Sequence, residues 1–144
     1  MLSLILAAGK GTRMKSEKPK VLHEVNGMPM LKRVLKLLRN TGVDKNIFIL
    51  GHKKDEVLKS MGDIEYVEQK EQLGTGHAVL IAKEKIEEYK DDVLITYGDT
   101  PLLREETINK GWISASVQGK VLSVFSRAYA VTGDESYIKA GDKA

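Results

Sequence analysis

Leu2-Ser3-Leu4-Ile5-Leu6 opens the chain as an apolar run without alternation, closed by Gly9 and Gly11, a pattern that predicts a short strand buried on both faces. A polar stretch to about Gly27 is predicted as loop. Between Met28 and Leu38 the apolar side chains fall at 31, 34, 35 and 38, the stripe of an amphipathic helix with Pro29 in its first turn and Gly42 at its end. The alternation then repeats: a buried strand over Asn46–Leu50, a short helix from Lys53 to Ser60 and a strand over Ile64–Val67. A helix from His77 to Tyr89 follows, with Val79, Ala82 and Ile86 on one face, and then a strand over Val93–Thr96. Strands alternating with helices at this spacing predict right-handed crossovers and an α/β three-layer sandwich with a mainly parallel sheet. Ligands of such sheets bind beyond the carboxyl ends of the strands, which directs attention to residues 7–20, 68–75 and 97–100.

From about Gly111 the alternation stops. Ile113, Val117, Val121, Val124, Ala128 and Val131 recur at spacings of four and three, which predicts a mostly helical tail ending near Thr132-Gly133. The β-branched residues leave a strand through Val121–Phe125 as the competing assignment.

Composition narrows the classes. A chain of 144 residues, 42% hydrophobic and 30% charged, is one globular domain's worth and not a disordered segment. With 23 basic and 20 acidic side chains the net charge is +3, and no basic block approaches a DNA-binding arm, so nucleic acid is not an expected partner. The absence of cysteine excludes a disulfide scaffold, a thiolate zinc site and a cysteine nucleophile, and fits a reducing cytosol. The apolar opening has no basic flank and is too short to span a bilayer, so neither a signal peptide nor a membrane anchor is read, and a cytoplasmic location is expected.

The loop Gly9-Lys10-Gly11-Thr12-Arg13-Met14 directly follows a predicted buried strand, where glycines allow backbone amides to approach an anion. No Gly-Lys-Ser/Thr closes it as a Walker loop, and Met14 stands where the dinucleotide fingerprint needs a third glycine. On spacing alone it is equally a plain turn. Charge favours the phosphate cradle: Lys10, Arg13, Lys15, Lys18 and Lys20 lie within eleven residues against a single Glu17, and Pro19 fixes the chain where apolar residues resume. Asp99, after a buried strand, suits either a hard metal such as Mg²⁺ or a turn or N-cap. His23, His52 and His77 lack a ligand spacing and read as local hydrogen-bond partners; Lys32, Arg33 and Lys36 read as the wet face of a helix.

Five ordered motifs make the chain recognisable as a sequence type: Leu6-Ala7-Ala8-Gly9-Lys10-Gly11-Thr12-Arg13-Met14, Pro19-Lys20-Val21-Leu22-His23, Gly27-Met28-Pro29-Met30, Glu71-Gln72-Leu73-Gly74-Thr75-Gly76-His77-Ala78 and Tyr97-Gly98-Asp99-Thr100-Pro101-Leu102-Leu103. Together, over about residues 1–108, they resemble the uridyltransferase domain of the bacterial bifunctional N-acetylglucosamine-1-phosphate uridyltransferases. The resemblance implies a site for UTP or a UDP-sugar. In it Ala7, Ala8 and Gly9 meet the uracil and ribose, and Gln69, Gly74 and Thr75 complete the base pocket. Gly11 belongs to the phosphate loop, and Tyr97 and Gly98 to the nucleotide site. Arg13 and Lys20 contact phosphates, and Asp99 holds Mg²⁺. The implied reaction transfers UMP from UTP to N-acetylglucosamine-1-phosphate, giving UDP-N-acetylglucosamine and pyrophosphate.

The family's later motifs, which receive the amino sugar and supply a second metal ligand, are not visible in the chain, nor is its β-helical acetyltransferase domain. Gly111-Trp112-Ile113-Ser114-Ala115, Gln118-Gly119, Leu122-Ser123-Val124, Arg127-Ala128-Tyr129 and Thr132-Gly133-Asp134-Glu135 instead resemble a helical repeat of glucuronyl C5-epimerases, from which Lys120 and Gly141 depart. The organisation expected is a nucleotidyltransferase half over 1–109 and a helical tail of different origin over 110–144. Impaired transfer and homo-oligomerisation are expected of such a truncated or recombined chain. The alternatives are a nucleotide-binding module without turnover and a fragment that self-assembles.

Overall fold

The structure, a computed structural model, describes residues 1–89, 92–105 and 108. The predicted helical tail, with its competing strand, lies outside the described residues. Four strands, β1 (Leu2–Leu6), β4 (Lys45–Leu50), β5 (Tyr66–Glu68) and β6 (Val93–Tyr97), form a sheet of order β5-β4-β1-β6 in which every pairing is parallel. The register sets Leu6 against both Ile49 and Tyr97, so β1 is flanked on both edges along its whole length.

Strand periodicity divides the apolar residues between two cores. Ile5, Ala7, Phe48 and Leu50 point to one face, where Leu31, Val34, Leu35 and Leu38 of α1 (Met30–Asn40) and Val57 of α2 (Lys54–Met61) cover them. Leu2, Leu4, Leu6, Ala8, Ile47 and Ile49 point to the other, against Ala78 of α3 (Thr75–Leu80) and Ala82, just before α4 (Lys83–Glu88). Helices therefore lie on both faces of a parallel sheet, the predicted sandwich. Ser3, wholly buried in β1, donates to Asn46 Oδ1 at 2.7 Å, so this polar group inside the sheet is satisfied.

Three expectations are corrected. The helix predicted over His77–Tyr89 is two short helices separated by a turn at Ile81–Ala82, where the Ala82 amide bonds the Val79 carbonyl three residues back instead of four. The Val79, Ala82, Ile86 stripe nevertheless packs on the sheet. The stretch read as loop holds two single turns of 3-10 helix (Thr12–Met14 and Lys20–Leu22) and an antiparallel ribbon of β2 (Glu24–Val25) and β3 (Met28–Pro29), turned by Asn26 and Gly27 at φ 50° and 72°. Pro29 consequently precedes α1, ending the ribbon. Arg33 is more than a wetted side chain: its Nε donates to Val25 O at 2.7 Å and its second guanidinium nitrogen to Asn26 O at 3.1 Å, clasping the ribbon to α1.

Glu65, just before β5, is held by Lys85 of α4 at 2.7 Å and Lys45 of β4 at 2.9 Å, and these bonds lower its carboxyl below the usual glutamate range. A carboxyl whose folded-state pKa is depressed adds stability above its unfolded value and loses it as pH falls through the folded value. Glu65→Gln is therefore expected to flatten the acid limb of the melting temperature below pH of about 4.3, the ordinary glutamate pKa. A scan of thermal unfolding against pH checks it; identical limbs would show that the cluster carries no pH dependence.

Candidate functional site

The chain leaves β1 in one direction for β4, while β6 pairs on the opposite edge, so the carboxyl ends of β1 and β6 flank the point where strand order reverses. In open parallel sheets this is where a crevice forms. A cleft of about 330 Å³ opens there. Ala7, Ala8 and Gly9 line it from the end of β1, Tyr97 and Asp99 from the end of β6, and Gln69, Gly74 and Thr75 from the segment after β5.

Backbone geometry explains why these segments converge. Gly51, following β4, packs so tightly that a Cβ there would lie 2.9 Å from the Gln69 carbonyl oxygen and 3.0 Å from Ala8 Cβ. Gln69 is buried; its Nε2 donates to the Gly74 carbonyl at 3.1 Å and lies 3.1 Å from His77 Nδ1, pinning the loop that crosses the cleft. Gly74 then adopts φ 101°, a conformation that disfavours any side chain.

Lys20 lines the cleft and donates its ammonium to Asp99 Oδ2. Pro19 is buried before it, and Val21 and Leu22 join the core after it. Gly11, at φ 61°, backs onto the same residue, since a Cβ there would lie 2.8 Å from Lys20 Cβ. Gly11 thus makes room for Lys20 and does not itself line the cleft. Gly98 is likewise absent from the lining: its α-carbon is wedged against Leu31, Ala7 and Val21, where a Cβ would meet Leu31 Cδ1 at 2.8 Å. Arg13 is exposed on its 3-10 turn outside the lining.

Asp99 sits in the turn after β6 and caps none of the described helices. Among the described residues no group of three or more His, Asp or Glu side chains converges as a metal cage. A single carboxylate at the cleft still fits Mg²⁺, which keeps several of its waters and is held by one or two carboxylates plus substrate phosphates. The histidines hold no metal-ligand arrangement either: His77 contacts Gln69, His52 is exposed, and His23, expected to be a hydrogen-bond partner, buries its Nε2 without one.

Leu6, Val21, Gln72 and Ala78 also line the cleft; each stands in a motif quoted from the sequence, where none carries a role of its own. Gln72 belongs to a quoted motif and faces the cleft beside Gly74, a position visible only once the loop folds back across β1. Glu17, the one acid of the basic loop, is engaged from outside: Lys53, itself at φ 56°, donates to its carbonyl and, at 3.1 Å, to its carboxylate. That bond raises the Lys53 ammonium above the usual lysine value, against the opposing effect of desolvation.

A parallel sheet covered on both faces, with a cleft at its topological switch point, is a doubly wound α/β architecture. Comparison with solved structures agrees: Rv0371c from Mycobacterium tuberculosis superposes with a TM-score of 0.65 at 22% identity, covering 76% of this chain and 57% of that one. The chain belongs to the family of MobA-like NTP transferase domains, which it matches over residues 3–135. Among curated relatives, the bifunctional protein GlmU of Acetivibrio thermocellus is 44% identical over 76% of this chain and 24% of its own length. That of Brucella anthropi is 41% identical over 99% of this chain and 32% of its own. The chain thus spans about a quarter to a third of the length of these relatives. The family match and the second alignment both run beyond residue 109. No helix among the described residues is long and apolar enough to cross a membrane.

Proposed function

We propose that the cleft binds a uridine nucleotide and that residues 1–109 carry the nucleotide side of a uridyl transfer from UTP to N-acetylglucosamine-1-phosphate. The observation that carries this reading is the convergence, in one cleft, of the ends of β1 and β6 and the segment after β5 with one lysine and one aspartate among the described lining residues. Ala7, Ala8 and Gly9 would meet a base and ribose from one side and Gln69, Gly74 and Thr75 from the other, with Tyr97 also in the lining. Lys20 and, swinging in from solvent, Arg13 bind phosphate oxygens, with the amides of the loop around Gly11 beside them. Asp99 would hold Mg²⁺, which supplies charge neutralisation when bound.

The chemistry asks little proton transfer of the protein. The acceptor phosphate is already anionic and nucleophilic: its oxygen bonds to the α-phosphorus of UTP, the bond to the β-phosphate oxygen breaks, and pyrophosphate leaves. What the residues supply is the approach of two polyanions in a fixed orientation, together with cationic groups aimed at the transferring phosphoryl. The five-motif resemblance and the GlmU relatives support uridine and the amino-sugar phosphate as the particular substrates.

Nucleotide binding is the direct readout for a chain that spans a fraction of its relatives. Titration calorimetry with UTP and Mg²⁺, run beside ATP, GTP and CTP, is expected to give saturable heat with UTP ahead of the others. A folded sample that gives no heat at millimolar UTP would overturn the reading, and equal binding of all four would overturn its uridine part.

A further inference from the structure

Lys20 and Asp99 are the only charged residues among those lining the cleft, and they are bonded to each other. They stand 79 positions apart in the chain, so their meeting is a product of the fold and not of local geometry. Both backbones are fixed. Lys20 is framed by buried Pro19, Val21 and Leu22 and backed by Gly11; Asp99 follows a strand in full register with β1 and the wedged Gly98. The side chains are 34% and 27% exposed, so the pair is partly withdrawn from solvent while its charged ends remain reachable from the cleft. With Lys20 Nζ on Asp99 Oδ2, the described lining residues offer a phosphate no unpaired cation, and a metal only a carboxylate that already carries an ammonium.

We propose that Lys20 masks Asp99 from divalent cations until a ligand phosphate draws the ammonium away, so that phosphate and cation bind with positive coupling. This rests on the nucleotide reading of the same cleft. A divalent cation approaching Asp99 alone meets an ammonium on the same carboxylate and is repelled by it. A phosphate competes with Asp99 for Lys20 as a second anion, and because only the flexible end of the side chain has to move, the exchange needs no rearrangement of the backbone. Once Lys20 turns to the phosphate, the carboxylate is exposed beside a new set of anionic oxygens, which is the environment a hard cation takes. Coupling between bound ligands is reciprocal, so a cation on Asp99 raises phosphate affinity by the same factor.

The test measures Mn²⁺ alone, by the electron paramagnetic resonance signal of the free ion, on the full chain and on Lys20→Gln, Lys20→Arg and Lys20→Gln/Asp99→Asn, with circular dichroism to confirm folding. Lys20→Gln is expected to bind Mn²⁺ at least about tenfold more tightly than the parent chain, on the scale of the typical coupling between linked ligands. Lys20→Arg, which keeps the cation, is expected to stay masked, and the double variant to lose the gain. Equal or weaker Mn²⁺ binding by Lys20→Gln, including no binding by any form, overturns the proposal. A second arm leaves Lys20 in place: saturating UMP, a weak chelator, is expected to tighten Mn²⁺ binding to the parent chain, and no tightening by bound UMP also overturns it. UTP that fails to bind the folded chain in the presence of Mg²⁺ would instead overturn the nucleotide reading, and the Lys20→Gln comparison would still decide the masking.

Discussion

Asp99→Asn is expected to abolish the response of nucleotide binding to divalent cations, whereas Arg13→Ala weakens binding about tenfold at every cation concentration. The two defects differ in kind because the residues act on different partners. Asparagine retains the shape of aspartate but loses the charge that holds a hard cation, so the Mg²⁺ dependence disappears with it. The same change releases Lys20 from its partner, and the cation-free affinity for UTP is therefore expected to rise slightly. Arg13 makes charge-assisted bonds that need no metal, worth about 1.5–3 kcal/mol each. It starts from an exposed position and must be ordered on binding, which places its effect at the lower end of that range. Calorimetric titrations of UTP at several Mg²⁺ concentrations separate the two. If both variants match the parent chain, the loops are turns and the cleft is not a phosphate site. If Arg13→Ala alone has an effect, the chain binds phosphate without metal.

Gly51→Ala is expected to lower stability by about 1–3 kcal/mol, the usual cost of forcing atoms into a packed site. The new Cβ would lie 2.9 Å from the Gln69 carbonyl oxygen, 3.0 Å from Ala8 Cβ and 3.1 Å from the Ala8 carbonyl oxygen. Two of these three atoms are backbone, so no rotamer change relieves the contact. Against a total stability of about 5–15 kcal/mol the loss is substantial. Ala8 and Gln69 both line the cleft, and separating them is expected to weaken UTP binding together with folding. Chemical denaturation and calorimetry on the same sample check both effects. A variant as stable as the parent would mean that the ends of β4 and β5 can separate without cost.

The sheet was legible because its two central strands, β1 and β4, are largely buried on both faces. Leu2–Leu6 and Asn46–Leu50 read as nearly continuous apolar runs, and the helix stripe at 31, 34, 35 and 38 is buried in full. The ribbon has a local signal in Asn26-Gly27, the dipeptide that most favours a two-residue hairpin turn, but its strands of two residues each are too short to show alternation inside a polar stretch. The division of the helix over 77–89 left no such mark, since its apolar stripe continues across the break at Ala82. The cleft was legible as three segments and not as a set of contacts. Strand ends directed attention to residues 7–20, 68–75 and 97–100, and the family resemblance to single residues within them, but that Gly98 packs against Leu31 while Asp99 reaches Lys20 depends on partners 67 and 79 positions away. Gly51 had no sequence signal at all, because what makes it necessary is the approach of Ala8 and Gln69.

Lys10 and Lys15 stand exposed beyond the rim of the cleft without an ion pair to any described residue, while the nearby Glu17 is taken up by Lys53. Charges so placed do little for how long an anion stays, since solvent screens each of them. They govern how often it arrives. Like-signed groups clustered beside a crevice steer a polyanion toward it over a range set by the ionic atmosphere, about 8 Å at physiological salt. Association should therefore slow as ionic strength rises while dissociation changes little, and the loop acts as an antenna whose reach is tuned by the salt of the medium and not by the shape of the cleft it serves.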